Sequence, residues 1–344
     1  MIKIGINGFN RISKIILYYA IKRKNIEIVS ININNFDNID IDKIIYMIKY
    51  DSLYNKEFNK LNIIKYKNNI IINNKNFIKI TNIKNIKDLK WKKLKAKYII
   101  ETNNKNKYLY KKNLLNHIKV GAKKVILTNY SKDKKIPIFI IGVNHKLIKK
   151  KHNIFSISTS TINCLAPILK ILHRELKIKE LLITNINSLN NDKNILKLDK
   201  YYNNYFYRSS LYNIIPNINN YLNKDIIKII PELKNKINNI SFIVPILGVS
   251  LVDLNIKIKK NISFDNLKKI FKFYSKNEFS GILGYNNKEL VSIDFLYNKN
   301  LSIFDSKLSL MLNKKFFKII SWYNNEIAYS NKLLDLIEYI EYNL

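Results

Sequence analysis

The chain has 344 residues, 47% of them hydrophobic, which is enough for a large core and too apolar for a disordered polymer. It carries 61 Lys+Arg against 25 Asp+Glu, a formal +36, and one cysteine; a lone thiol excludes an internal disulfide and fits a reducing compartment. The opening run MIKIGINGF lacks the apolar core and cleavage site of a secretory signal, and no stretch approaches the roughly 18–20 apolar residues of a membrane-spanning helix, so a soluble, cytoplasmic protein is expected.

The charge has two explanations. Basic surfaces attract nucleic acids and membranes. Yet arginine occurs only at 11, 23, 174 and 208, while Lys, Asn, Ile, Tyr and Phe saturate the chain and the lysines run along its whole length. Those residues have A/T-rich codons, and diffuse drift in composition accounts for the pattern better than a basic site. At most nonspecific nucleic-acid binding is expected. The count of 7 glycines fits the same drift and matters, because glycine does specific backbone work.

In chain order, IKIGING, RISKIILYYAIKRK and IEIVSINI read as strand, helix and strand. Alternation continues through KYIIE, KNLLNHIKVGAKKVILT and IPIFIIGVN, which predicts a parallel, doubly wound sheet. A helix is predicted from about Cys164 to Leu176. Beyond it, ELLITNIN, ISFIVPILGVSLVDLNIKI, ELVSIDFLY and KFFKIISWYN are long β-type runs suited to a mostly antiparallel sheet, and AYSNKLLDLIEYIEY closes the chain as an amphipathic helix. The Asn-rich NINSLNNDKN and YYNNYFYRSS read as a long surface loop.

Several short motifs stand out in order along the chain: KIGINGFNRI at the start, YMIKYDS at Tyr46–Ser52, GAKKVILT at Gly121–Thr128 and STINCLAP at Ser160–Pro167. NIIP at Asn213–Pro216, IPEL at Ile230–Leu233, GILGY at Gly281–Tyr285 and SWYNNEIAYSNKLLDLI at Ser321–Ile337 follow. With these motifs the chain resembles the glyceraldehyde-3-phosphate dehydrogenase family nearly end to end. The resemblance implies an α/β protein with an N-terminal Rossmann-type domain for NAD (1–157), a catalytic domain with a mostly antiparallel sheet (158–325), and a last helix (326–344) that packs back on the first domain. It further implies a homotetramer that oxidises glyceraldehyde 3-phosphate with NAD and inorganic phosphate in glycolysis. No metal is implied.

Residue by residue, the likeness is uneven. The turn after the first strand offers backbone N–H groups and a positive helix end to a pyrophosphate, which implies cofactor contacts at Gly8, Asn10, Arg11 and Ile12. The fingerprint's three glycines read Gly8, Asn10 and Ser13 here. Asn10 tolerates a left-handed backbone, and its side chain is expected to crowd the pyrophosphate. Ile33 stands where the family has the acid that grips the adenosine ribose, with Asn32 and Asn34 beside it. Asn325 matches the residue that fixes the nicotinamide amide and Tyr329 its aromatic neighbour. Ala328 and the ETNNK and TNYSK turns lack family glycines.

The nucleophile position of the family is Ser160 and the base position is Asn187; Thr161 and Arg208 match phosphate contacts, and Asn190 replaces a threonine at a third such position. A serine hydroxyl is scarcely ionised at neutral pH, and an asparagine takes up no proton. Cys164 matches the second, non-nucleophilic cysteine and is expected to be structural. Two alternatives therefore stand beside the dehydrogenase: a catalytically impaired pseudoenzyme of the family, and a nonspecific polyanion-binding protein.

Overall fold

A computed structural model describes residues 1–34, 40–189, 208–217 and 220–344. The chain forms two compact units. The first comprises Met1–Phe139, Lys146–Thr159 and Ser330–Leu344, and the second Ile140–His145 and Ser160–Tyr329.

In the first unit, β1 (Ile2–Asn7), α1 (Arg11–Ile21) and β2 (Ile26–Asn32) form the expected strand-helix-strand start, with β1 and β2 parallel. All of β1 but Lys3 is buried, as a parallel strand covered on both faces requires. Next come α2 (Ile41–Lys49), α3 (Asn55–Phe58), β3 (Ile63–Tyr66), β4 (Asn69–Ile72) and β5 (Asn76–Thr81). They are followed by β6 (Tyr98–Glu101), α4 (Lys111–Lys119), β7 (Lys124–Leu127) and β8 (Ile154–Ser156). The sheet order is β3-β4-β5-β2-β1-β6-β7-β8. Its pairings are parallel from β5 to β8 and antiparallel through the β3-β4-β5 meander.

The strand predicted at IPIFIIGVN does not form; only Ile138 makes an isolated bridge, to Ser156. Pro137 has no N–H for a ladder, and Gly142 turns the chain with φ 78°. The place at the sheet edge goes to β8. At the carboxyl ends of the central strands lies a buried polar knot. Glu101 accepts from Asn7 Nδ2 (2.6 Å) and Asn103 Nδ2 (2.7 Å) and lies 3.1 Å from His117 Nε2, while Trp91 Nε1 donates to His117 Nδ1 at 2.9 Å.

The second unit opens with α5 (Ser160–Leu176), which starts four residues before the predicted Cys164 because the hydroxyl run STIN is its first turn. After it come β9 (Ile178–Leu189), β10 (Ile215–Pro216), α6 (Asn220–Ile229), β11 (Ile237–Leu247), β12 (Val249–Ile258) and α7 (Phe264–Lys276). The strands β13 (Leu283–Asn286), β14 (Ser302–Asn313) and β15 (Phe316–Asn324) complete the sheet, ordered β10-β11-β9-β12-β15-β14-β13. Four of its six pairings are antiparallel; β11 with β9 and β13 with β14 are parallel. On β14, Leu308, Leu310 and Leu312 alternate outward and are exposed.

The last helix, α8 (Ile327–Asn343), returns to the first unit as expected. Arg23 grips it through Asp335 (2.5 Å) and Glu338 (2.7 Å), and Lys97 Nζ and Tyr98 OH bond Glu341 at 2.5 and 2.7 Å. Among the described residues, no helix is long and apolar enough to cross a membrane. Seven described non-glycine residues adopt left-handed backbone: Lys67, Asn73, Asn74, Lys95, Ser158, Lys177 and Asn235, with φ between 52° and 61°.

Candidate active site and cofactor turn

The turn joining β1 to α1 is built around Gly8. Its φ is +113°, and a Cβ there would meet Thr102 Oγ1 at 2.4 Å, so only glycine fits. Its N–H donates to Asn32 O at 2.9 Å, which ties the turn to the end of β2. Asn10 is not left-handed: at φ −145° and ψ −175° it is the extended N-cap of α1. Its Oδ1 accepts from Ser13 N (3.1 Å) and its Nδ2 donates to Thr102 O (2.7 Å), while Ser13 Oγ takes the Asn10 N–H at 2.8 Å. The side chain expected to crowd a pyrophosphate is thus turned into a reciprocal cap. Ser13, in place of the third glycine, is the other half of that cap.

Arg11 and Ile12 occupy the first turn of α1, where backbone N–H groups lack intrahelical acceptors. The Arg11 side chain points to Asp51 of the KYDS motif, Nε to Oδ2 at 3.3 Å, and Lys14 Nζ reaches the same oxygen at 2.8 Å. Burial alone would raise the Asp51 pKa, but the Lys14 hydrogen bond and the charges of Lys14 and Arg11 outweigh it and hold the carboxyl below its ordinary value.

Ile33 is fully buried. Asn32 has no capacity to spare, since it bonds Asn7 Oδ1, Thr81 Oγ1 and both backbone groups of Ile83. Among the described residues, the buried Oδ1 of Asn34 has no hydrogen-bond partner. A glycine turn that admits no side chain, an anion-attracting helix start and an unsatisfied polar atom past β2 together fit a dinucleotide.

In the second unit Ser160 is the first residue of α5. Among the described residues its hydroxyl has Asn325 Oδ1 as partner, at 3.4 Å. Asn325 is oriented from behind: its Nδ2 donates to Ser188 Oγ (2.9 Å) and Ser250 Oγ (3.0 Å). Asn187, on β9, accepts at Oδ1 from Asn185 Nδ2 (3.0 Å) and lies 3.2 Å from Tyr323 OH, while its own Nδ2 donates to Phe242 O at 3.4 Å. Tyr323 OH is 2.9 Å from both Asn185 Oδ1 and Thr161 Oγ1. Having one proton, it donates to one amide at a time. Burial pushes this phenol's pKa well up, so it stays neutral.

Cys164, one turn further along α5, is fully buried against Ser302 Oγ (3.5 Å) and Ser321 Oγ (3.8 Å), and burial pushes its pKa up to about 12. It is a packing residue. Arg208 is exposed, and no hydrogen bond or ion pair joins it to this cluster among the described residues. Asn190 lies outside the described residues. Tyr329 is buried, and burial holds its phenol neutral.

Residues 2–107 match the family profile described as "Glyceraldehyde 3-phosphate dehydrogenase, NAD binding domain", and residues 159–325 match "Glyceraldehyde 3-phosphate dehydrogenase, C-terminal domain". The chain belongs to the glyceraldehyde-3-phosphate dehydrogenase family. It is 40% identical over 339 residues to "Glyceraldehyde-3-phosphate dehydrogenase" of Buchnera aphidicola subsp. Schizaphis graminum (strain Sg), covering 98% of each chain. It is 35% identical to the cytosolic enzyme of that name from Pisum sativum, again over 98% of each chain. A Cochliobolus lunatus relative of the same name is 35% identical over 340 residues, 99% of this chain and 98% of its own.

Four residues of this hydrogen-bonded cluster, Asn185, Ser188, Ser250 and Tyr323, carry no motif of their own that singles them out in the sequence. One signal was available: in a strand Asn185 and Asn187 share a face, and Tyr323 lies inside the SWYNNE motif.

Proposed function

We propose that the chain carries out its family's glycolytic reaction: NAD-dependent oxidation of glyceraldehyde 3-phosphate, with inorganic phosphate captured as 1,3-bisphosphoglycerate. It would do so in the cytoplasm as a homotetramer. The observation that carries this proposal is the match of both family domains, in order, with 40% identity over 339 residues. In it, residues 1–157 hold NAD, 158–325 the substrate, and 326–344 complete the first domain. The exposed row Leu308, Leu310 and Leu312 suits burial against another copy.

Gly8, Arg11 and Ile12 would hold the pyrophosphate and Asn325 the nicotinamide amide; bound NAD supplies the hydride acceptor. Thr161, Asn190 and Arg208 are assigned to phosphate. Ser160 takes the position from which the aldehyde carbon is attacked. Asn325 Oδ1 orients its O–H but, being an amide, removes no proton. Asn187 is likewise an amide, already bonded to Asn185. Attack by a neutral hydroxyl without a base is slow, since one positioned base typically contributes about 10²–10⁴ in rate. Low turnover is therefore expected.

A second reading is favoured by that same geometry: a family member that binds these ligands without turning them over. NADH formation by purified chain with glyceraldehyde 3-phosphate, phosphate and saturating NAD decides between them. Slow turnover abolished by Ser160→Ala supports the dehydrogenase. Calorimetric binding of NAD with no NADH above background supports the non-catalytic member.

A further inference from the structure

Dinucleotide folds hold the adenosine ribose with an acidic residue at the end of the second strand, and this chain has no acid there. Ile33 is fully buried and commits its N–H to Thr81 O at 2.6 Å. Asn32 cannot replace the acid, because both atoms of its amide are already bonded.

Asn34 is different. It is 7% exposed, its Nδ2 donates to Tyr108 OH at 2.8 Å, and its Oδ1 is buried with no hydrogen-bond partner among the described residues. Unpaired buried polar atoms are rare and costly, and point to a missing partner. Turning the amide end for end changes nothing essential: Tyr108 OH then donates, and Nδ2 becomes the unpaired atom. A sugar hydroxyl, both donor and acceptor, satisfies either arrangement. The location is also right. Gly8 N bonds Asn32 O at 2.9 Å, so the pyrophosphate turn abuts the end of β2, and Asn34 lies two residues beyond.

We propose that Asn34, oriented by Tyr108, is this chain's contact to the adenosine ribose hydroxyls in place of position 33. The assignment rests on the NAD-binding reading above. It carries a consequence for selectivity: a neutral amide grips hydroxyls without repelling a 2′-phosphate, as a carboxylate does.

The test is calorimetric binding to the full chain, with no turnover required. The ligands are NAD, an analogue whose adenosine ribose lacks both hydroxyls, and NADP. Wild type should bind NAD about tenfold more tightly than the analogue. Asn34→Ala should lose about that factor for NAD and no longer distinguish the two. Asn34→Asp should raise the ratio of NAD to NADP affinity, and Tyr108→Phe should weaken NAD with a smaller loss. If Asn34→Ala fails to fold, as judged by its melting curve, the comparison of ligands on wild type still decides. Equal affinity of wild type for NAD and analogue overturns the proposal, as does an unchanged analogue penalty in a folded Asn34→Ala; both leave NAD binding intact. Failure of wild type to bind NAD at all overturns the cofactor reading along with it.

Discussion

Restoring a thiol at 160 and an imidazole at 187 measures how much of the family's chemistry this scaffold still supports. In wild type the Ser160 hydroxyl meets only an amide oxygen among the described residues, 3.4 Å away, and Asn187 is bonded to Asn185 and Phe242 O. Ser160→Cys places a thiol at the start of a 17-residue helix, where its pKa falls below the roughly 8.5 of free cysteine. That change alone leaves no proton acceptor. Asn187→His sets an imidazole on the same β9 face as Asn185, where Tyr323 OH and the Asn185 amide, now 3.2 and 3.0 Å from Asn187 Oδ1, can orient one ring nitrogen. Alone it faces a serine with no acidic partner to stabilise the imidazolium. A positioned base is worth about 10²–10⁴ in rate, or roughly 2.7–5.4 kcal/mol of barrier. The double variant should therefore exceed Ser160→Cys by about that factor, and the two changes should be strongly non-additive. Initial rates of NADH formation would be compared for wild type, both singles and the pair, with NAD and phosphate saturating. The reasoning fails if Ser160→Cys alone matches the pair, because a base other than position 187 would then be at work. It fails equally if wild type turns over briskly and Cys164→Ser abolishes it.

Four shorter expectations accompany it. Asp51→Asn should destabilise the chain by about 3 kcal/mol at neutral pH by leaving the buried Arg11 and the partly buried Lys14 without their carboxylate. Because the folded pKa of Asp51 lies below its ordinary 3.8, the stabilisation is complete above that value and lost as pH falls through the folded pKa; denaturant titrations showing a constant gap down to pH ~3 would contradict this. Cys164, buried with its pKa pushed up to about 12, should react with a disulfide thiol reagent only after denaturation. Sedimentation should give four times the 40.8 kDa chain mass, and Leu310→Asp should lower it; a wild-type monomer would refute the tetramer. Binding to duplex DNA should be weak, blind to sequence and gone by ~200 mM salt; tight binding surviving that salt would point to a dedicated basic site.

The frame of both domains was legible because it rests on periodicity. Buried parallel strands such as IKIGIN are short and rich in isoleucine, and α8 repeats its apolar positions at helical spacing. Ser160 was legible as a position from motif spacing, and its surroundings were not. The partners that fix Asn325, Ser188 and Ser250, come from β9 and β12, 137 and 75 residues away in sequence. Asn10 shows the opposite failure. Its residue type tolerates a left-handed backbone, but a capping box with Ser13 satisfies the helix start, and extended backbone results. IPIFIIGVN was misread because an apolar run looks the same whether or not it is paired, and Pro137 weighs against the ladder. The β3-β4-β5 meander leaves little mark in the sequence, since its short strands carry few periodic residues.

The seven left-handed non-glycine residues set a limit on heat tolerance. Asparagine bears such backbone easily, but Lys67, Lys95, Ser158 and Lys177 each give up about 1–2 kcal/mol to it, together a sizeable part of the roughly 5–15 kcal/mol that holds a typical domain folded. Glycine at any of the three lysines would return part of that loss, offset by the freedom it adds to the unfolded chain. Each of these turns thus withdraws free energy from the native state that the remaining contacts must supply, so the fold reaches its midpoint at a lower temperature than the same contacts would otherwise allow.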